Sequence, residues 1–182
     1  MANFSETLAI GKSGETQIAN WLKNRGSNVL PIYEMAENQF KGPALYCHDN
    51  ESIIAPDMMV FNKKGEAIFV EAKHKYAFSW HRKTERFVTG IDLHHYQQYL
   101  KIQETLKHPV WLFFLHRGGI AKDSPPSPSG LYARSLEFLS THENHRSDIY
   151  GKNGMVYWNI DNLIKLDDYP FNENKNCLNS AE

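Results

Sequence analysis

Two acids and a lysine stand where the pattern around them calls for apolar side chains. From Ile54 to Lys75 the chain reads IAPDMMVFNKKGEAIFVEAKHK, two strand-like segments joined by the turn NKKG. Asp57 opens the first segment, and Glu71 and Lys73 close the second. Side chains alternate across a strand, so Glu71 and Lys73 share one face. A tight hairpin sets the start of one strand beside the end of the other, and the three residues converge. Two adjacent carboxylates repel each other and are costly to desolvate. A hard divalent cation offsets that cost, and Mg²⁺ takes oxygen ligands with water. A lysine beside it stabilises charge developing on a phosphate or orients a water. Together these groups suit metal-assisted phosphodiester hydrolysis. The plainer alternative is a Glu71–Lys73 salt bridge at a sheet end, with Asp57 a turn residue.

The elements that must position these residues follow from local pattern. Residues 5–25 read as a helix whose buried stripe is Ile18, Trp21 and Leu22, with Gly26 as its stop. Residues 28–34 read as a strand, 35–52 as a polar loop, and 53–61 as one strand with Pro56 near its start. Residues 66–73 return as the partner strand. The segment 74–90 shows no clear period. Residues 91–107 read as a second helix with Leu93, Tyr96, Leu100 and Leu106 on its apolar face, ended by Pro109. VWLFFLH (residues 110–116) is a continuous apolar run, the mark of a central strand covered on both faces. Beyond it come a Pro/Ser/Gly loop at 121–130, a short helix at 135–142, a strand at 155–160 and a last helical turn at 161–166. Helix, three strands, helix and strand make an α/β fold: a single mixed central sheet flanked by helices. The expected organisation is one domain over residues 1–170, with its core at 5–117, an elaboration at 118–170 and a disordered tail at 171–182.

The combination of Pro56-Asp57, thirteen intervening residues and Glu71-Ala72-Lys73 resembles the PD-(D/E)XK nuclease superfamily. Its αβββαβ, restriction-endonuclease-like core has the element order just read. The family includes restriction enzymes, archaeal-type Holliday junction resolvases and phage recombination nucleases. The resemblance implies that Asp57, Glu71 and the backbone carbonyl of Ala72 bind Mg²⁺, with Mn²⁺ able to substitute. It assigns Lys73 to the nucleophile and the transition state. Members often carry an acid on the first helix, here Glu15 in GKSGE. Glu15 precedes Ile18 by three residues and Leu22 by seven, so it falls on the buried stripe and would complete the metal shell directly or through water. A surface glutamate favoured by the helix dipole is the alternative. Members also place a polar residue on the helix after the third strand. The segment LHHYQQYL offers His94, His95, Gln97 and Gln98, and Gln97, which flanks the Leu93–Leu100 stripe, is the choice, although an exposed glutamine fits equally well.

Net charge is −1, but the charge is unevenly spread. Lys73, Lys75, Arg82, Lys83 and Arg86 cluster with His74 and His81 against Glu85 alone, and the chain from Asp161 onward is acidic. Trp80, His81, Arg82, Lys83 and Arg86 with Lys75 combine stacking faces and phosphate-binding charge, suited to DNA. Aromatic anchors pinning a loop are the alternative. Lys12 and Lys41 are weaker candidates. His142 and His145 have a spacing found in some zinc sites, yet no cysteine pair or further ligand supports one. No P-loop, GxGxxG or GxSxG motif is present, which removes local support for nucleotide-driven, dinucleotide or elbow-type serine chemistry. Two cysteines, Cys47 and Cys177, no signal-peptide pattern and no long apolar run fit a reduced cytoplasmic chain without a membrane span. The expected function is a DNA-cutting, metal-dependent endonuclease of junction-resolvase type, working as a homodimer. Restriction-like or exonucleolytic cutting, or a DNA-binding module without turnover, are the alternatives.

Overall fold

The computed structural model describes residues 4–32, 43–48, 50–120, 124–151 and 153–171. Helix α1 (Phe4–Asn24) leads into strand β1 (Asn28–Pro31). A short ribbon follows, β2 (Ala44–Tyr46) and β3 (Ser52–Ile54), then the hairpin β4 (Met58–Phe61) and β5 (Ala67–Lys75). Next come β6 (Ser79–His81), β7 (Arg86–Asp92), α2 (Leu93–Leu106) and β8 (Val110–His116). The chain continues with β9 (Gly130–Ser135), α3 (Leu136–Ser140), β10 (His145–Ser147), β11 (Met155–Asn159), a 3₁₀ turn (Ile160–Asn162) and β12 (Ile164–Asp167).

The expected central sheet is present. Six strands lie in the order β1-β4-β5-β8-β9-β12, with β5 and β8 parallel and every other pair antiparallel. The αβββαβ order is α1, β1, β4, β5, α2, β8. The NKKG turn is built by Asn62, whose Oδ1 accepts from the backbone N–H groups of Lys64 at 2.8 Å and Glu66 at 3.0 Å. Period-two alternation divides β5 between two cores. Val70 and Ala72 pack with Ile18 and Leu22 of α1 and with Leu115 and Ala133. Phe69, on the opposite face, packs with Tyr96, Tyr99 and Ile102 of α2, with Leu112, and with Trp158.

Several elements depart from the sequence reading. The segment 53–61 is two strands, because β3 turns away to pair with β2 and the chain breaks at Ala55–Asp57. Part of the expected polar loop is therefore the ribbon β2–β3. The aperiodic segment 74–90 is the β6–β7 hairpin, which joins β11 and β10 in a second, four-stranded antiparallel sheet. The expected last helical turn is a 3₁₀ turn followed by β12, which pairs with β9. On α2 the fully buried positions are Tyr96, Tyr99 and Ile102, while Leu93 and Leu100 are only half-buried. The helix is covered by β3, β7, β8 and β11 together, so its buried arc is rotated from the stripe expected for a single contact face. The outer end of the expected first strand, Lys41, Cys177 and the expected disordered tail beyond residue 171 lie outside the described residues. Among the described residues no helix is long and apolar enough to cross a membrane.

Candidate active site

The β4–β5 ladder ends at the pair Met58–Val70, while β5 runs on to Lys75. At this fork Asp57 takes the place of the next rung. Its Oδ2 accepts from the Ala72 backbone N–H at 2.8 Å. Pro56 is buried just before it and offers no N–H to prolong the strand. The Asp57 carbonyl accepts from Ile32 N–H at 2.9 Å, which ties the fork to the end of β1.

Beyond the fork, Glu71 is 1% exposed. One of its oxygens, Oε1, contacts the Lys73 ammonium. The other, Oε2, is buried with no hydrogen-bond partner. Tyr99 of α2 lies beside Glu71: burial first, and then the Glu71 charge, hold its phenol well above the ordinary value. From the other side comes α1. A Cβ on Gly14 would lie 2.3 Å from the Cβ of His74, so only glycine lets the helix touch β5 here. That contact delivers Glu15, half-buried, to the same electrostatic neighbourhood.

The charges confirm the crowding. Burial, then the neighbouring Glu71, pushes the Asp57 carboxyl up to about 8. Burial and Glu71 likewise raise Glu15. Burial pulls the Lys73 ammonium down, but Glu71 and Asp57 outweigh it, so Lys73 ends above its ordinary value. The Glu71–Lys73 salt bridge of the plainer reading therefore exists, yet it does not neutralise the site. Three carboxyl groups face one lysine, and one buried oxygen remains unpaired. An unpaired buried carboxylate oxygen costs several kcal/mol, on the order of what one coordinated cation returns. This donor set of Asp57, Glu71 and the adjacent Ala72 peptide fits a hard, oxygen-seeking divalent ion. Among the described residues, no three His, Cys, Asp or Glu side chains are grouped to hold a metal by themselves. Two carboxylates and a backbone carbonyl, completed by water, would then be the shell these residues offer.

No protein-family model matches the chain, and no curated protein matches it in sequence. Among solved structures the chain is similar to Archaeoglobus fulgidus Hjc, a Holliday junction resolvase from an archaeal hyperthermophile. The identity is 7%, the match covers 84% of this chain and 90% of that one, and the TM-score is 0.47.

The structure thus brings together Glu15, Asp57, Glu71 and Lys73, with Ala72 between them. It does not bring Gln97. That side chain is exposed, two residues from both His95 and Tyr99 and hence on the opposite side of α2. The site is met instead by Tyr99 and by His95, whose imidazole is lowered first by burial and then by Lys73. Their four-residue spacing was the available signal, but it depends on the helix phase, which the Leu93–Leu100 stripe set wrongly.

Of the expected DNA-binding residues, Lys75 continues the Glu71–Lys73 face and is lowered to about 8, chiefly by burial and next by Lys73. Trp80 packs edge-on against Phe87, with ring centroids 5.0 Å apart, and serves as an anchor on the core side of the second sheet. Arg86 pairs with Asp161 at 3.2 Å, so one of the acids after residue 160 meets the basic segment directly. Arg82 and Lys83 are exposed in the β6–β7 turn, and Lys12 is exposed on α1. His142 is exposed and stacks on Phe138 at 3.8 Å, while His145 is half-buried and stacks with His81.

Proposed function

We propose that this chain is a divalent-metal-dependent deoxyribonuclease that hydrolyses phosphodiester bonds at the β4–β5 fork. The observation that carries the reading is the buried, half-paired Glu71 beside Asp57 and Lys73. Mg²⁺, or Mn²⁺ in its place, would supply Lewis-acid stabilisation of the phosphate and a more acidic water. Asp57 and Glu71 would hold it with the Ala72 carbonyl, and Glu15 would orient its water. Asp57 carries its proton up to about 8, so it would have to give that proton up to serve as a ligand. Lys73 keeps its charge at neutral pH, so it acts as a fixed cation facing phosphate oxygens and does not take up a proton. The finer reading is an endonuclease selective for branched DNA that works as a twofold pair, since symmetric cuts in two strands call for two copies of the site.

The test is cleavage of labelled four-way junction, linear duplex and single-stranded DNA with Mg²⁺ or EDTA, comparing the parent with Glu71→Ala and Lys73→Ala. Metal-dependent cutting that both variants lose is expected. Symmetric cuts confined to the junction would support the finer reading, and equal cutting of linear duplex would remove it. Undiminished cutting by both variants, or none by a folded parent, would refute the site.

A further inference from the structure

The strand that carries Glu71 and Lys73 ends in an exposed aromatic ring. Tyr76 follows Lys75 directly and is 65% exposed. Alternation sets it on the α1 side of the sheet, two residues beyond His74, where Gly14 brings the helix in. Gly119 backs the ring, for a Cβ there would lie 2.6 Å from both Cε1 and Cζ and 2.9 Å from the hydroxyl oxygen. Among the described residues no second ring stacks on Tyr76, so the side away from Gly119 is open. The support under the ring is fixed by backbone bonds. Arg117 N–H donates to the Lys75 carbonyl at 3.0 Å, and Ser127 N–H donates to the Gly119 carbonyl at 2.8 Å. Ser127, itself buried, accepts the Phe78 N–H on its Oγ at 2.9 Å. Ser127 therefore clamps the chain just after Tyr76 to the loop beneath it. A ring held this way removes its remaining apolar area from water only when a ligand covers it. Ile120, next to Gly119, is as exposed as Tyr76.

We propose that Tyr76, backed by Gly119, is a stacking platform for an unpaired base of the DNA substrate. The proposal rests on the nuclease reading and narrows its substrate to DNA with an unpaired base a few nucleotides from the cleaved phosphate. The link to the carboxylate site is the strand itself, since one segment carries Glu71, Lys73, Lys75 and Tyr76. Five residues at about 3.3 Å each place Tyr76 about 16 Å from Glu71. That span is about five nucleotides of stacked strand, at about 3.4 Å each. The charge around the ring decides between occupants. Lys75 precedes it, and exposed Arg117 is bonded to the Lys75 carbonyl. The Arg117 Nε donates to His74 Nε2 at 2.9 Å, and no acid pairs with its guanidinium among the described residues. A second copy docked on this patch across a twofold axis would set these cations against their own images, whereas a nucleic-acid strand brings phosphates to them. Bases inside a duplex have both faces covered, so the open side of the ring suits an unpaired one.

The test is fluorescence anisotropy in EDTA with two labelled probes, a plain duplex and the same duplex with a central loop of about five unpaired thymidines in each strand. The parent is expected to prefer the looped probe. Tyr76→Ala should lose about fivefold to a hundredfold in affinity for the looped probe with plain-duplex affinity unchanged, while Tyr76→Phe keeps the parent's value. Gly119→Ala, whose new Cβ meets the ring, should weaken looped-probe binding in the same direction. Tyr76 is exposed, so its variants keep the fold, and circular dichroism checks this. A Tyr76→Ala protein binding the looped probe within about twofold of the parent would overturn the proposal. So would a Phe variant as weak as Ala, or a parent without preference for the looped probe. Loss of a dimer in sedimentation of Tyr76→Ala, with probe preference intact, would assign the ring to a second copy and overturn it too. Because no cleavage is read, the result stands apart from the Glu71→Ala test. A Tyr76-dependent preference in a parent that cuts nothing with Mg²⁺ would refute the nuclease reading and leave the platform intact. Cutting that needs Glu71, without that preference, would do the reverse.

Discussion

Asp57 makes the protein less stable as pH rises, and replacing it with asparagine should reverse that. Its carboxyl titrates near 8 in the folded chain against an ordinary 3.8. Between those values the folded state holds a proton that the unfolded chain has released. Stability therefore falls with rising pH across that window, with no contribution below it and the full penalty above it. The gap of about four pH units, at about 1.4 kcal/mol each, caps the penalty at about 6 kcal/mol. Asparagine is uncharged, and its amide oxygen can still accept the Ala72 N–H. In EDTA, Asp57→Asn should match the parent near pH 4 and exceed it at pH 8 by about 2 to 5 kcal/mol, or about 5 to 15 °C in Tm. Urea unfolding at both pH values measures this, and comparing parent with variant cancels the histidines that titrate in both. Mg²⁺ at about a hundred times its Kd should then restore about 2.7 kcal/mol to the parent at pH 8 and much less to the variant. A variant no more stable than the parent at pH 8 would show that the fork is not short of positive charge, and the metal argument would fall with it.

Gly14→Ala should cost about 1 to 3 kcal/mol in urea unfolding, since the new Cβ meets the Cβ of His74 at 2.3 Å, and it should lower cleavage by moving Glu15. Tyr99→Phe removes a buried hydroxyl beside the Glu71 carboxylate; cleavage should fall about tenfold while Tm changes by a few degrees, the size of effect of one polar contact to a charged group.

The parts of this molecule that were legible in the sequence are those fixed by near neighbours. The β4–β5 hairpin follows from period-two alternation and the Asn62 turn, and that hairpin alone sets Asp57 beside Ala72. Glu15 was legible because α1 makes one contact face, with Ile18 and Leu22 on it. The second sheet was not, because β6 and β7 bury residues such as Thr89 and Gly90 and expose Arg86, a pattern that makes sense only once β11 lies alongside. Tyr99 was missed for a related reason. A helix packed on several sides hides its phase, and a shift of two residues exchanges Gln97 for His95 and Tyr99. His145 came into view as a possible zinc ligand, and only the pairing of distant strands sets it between His81 and Tyr157.

The bond from Asp57 to the Ala72 N–H gives one side chain two duties that cannot be tuned apart. It ends a ladder and it opens a site. Were Asp57 replaced by a residue with no acceptor, the Ala72 N–H would be left unpaired, because Pro56, the residue that the register sets opposite Ala72, has no N–H to complete another rung. The proline would keep the fork from closing into plain sheet. Loss of the acid would therefore cost a buried hydrogen bond and a charge together, and leave an open notch in the sheet.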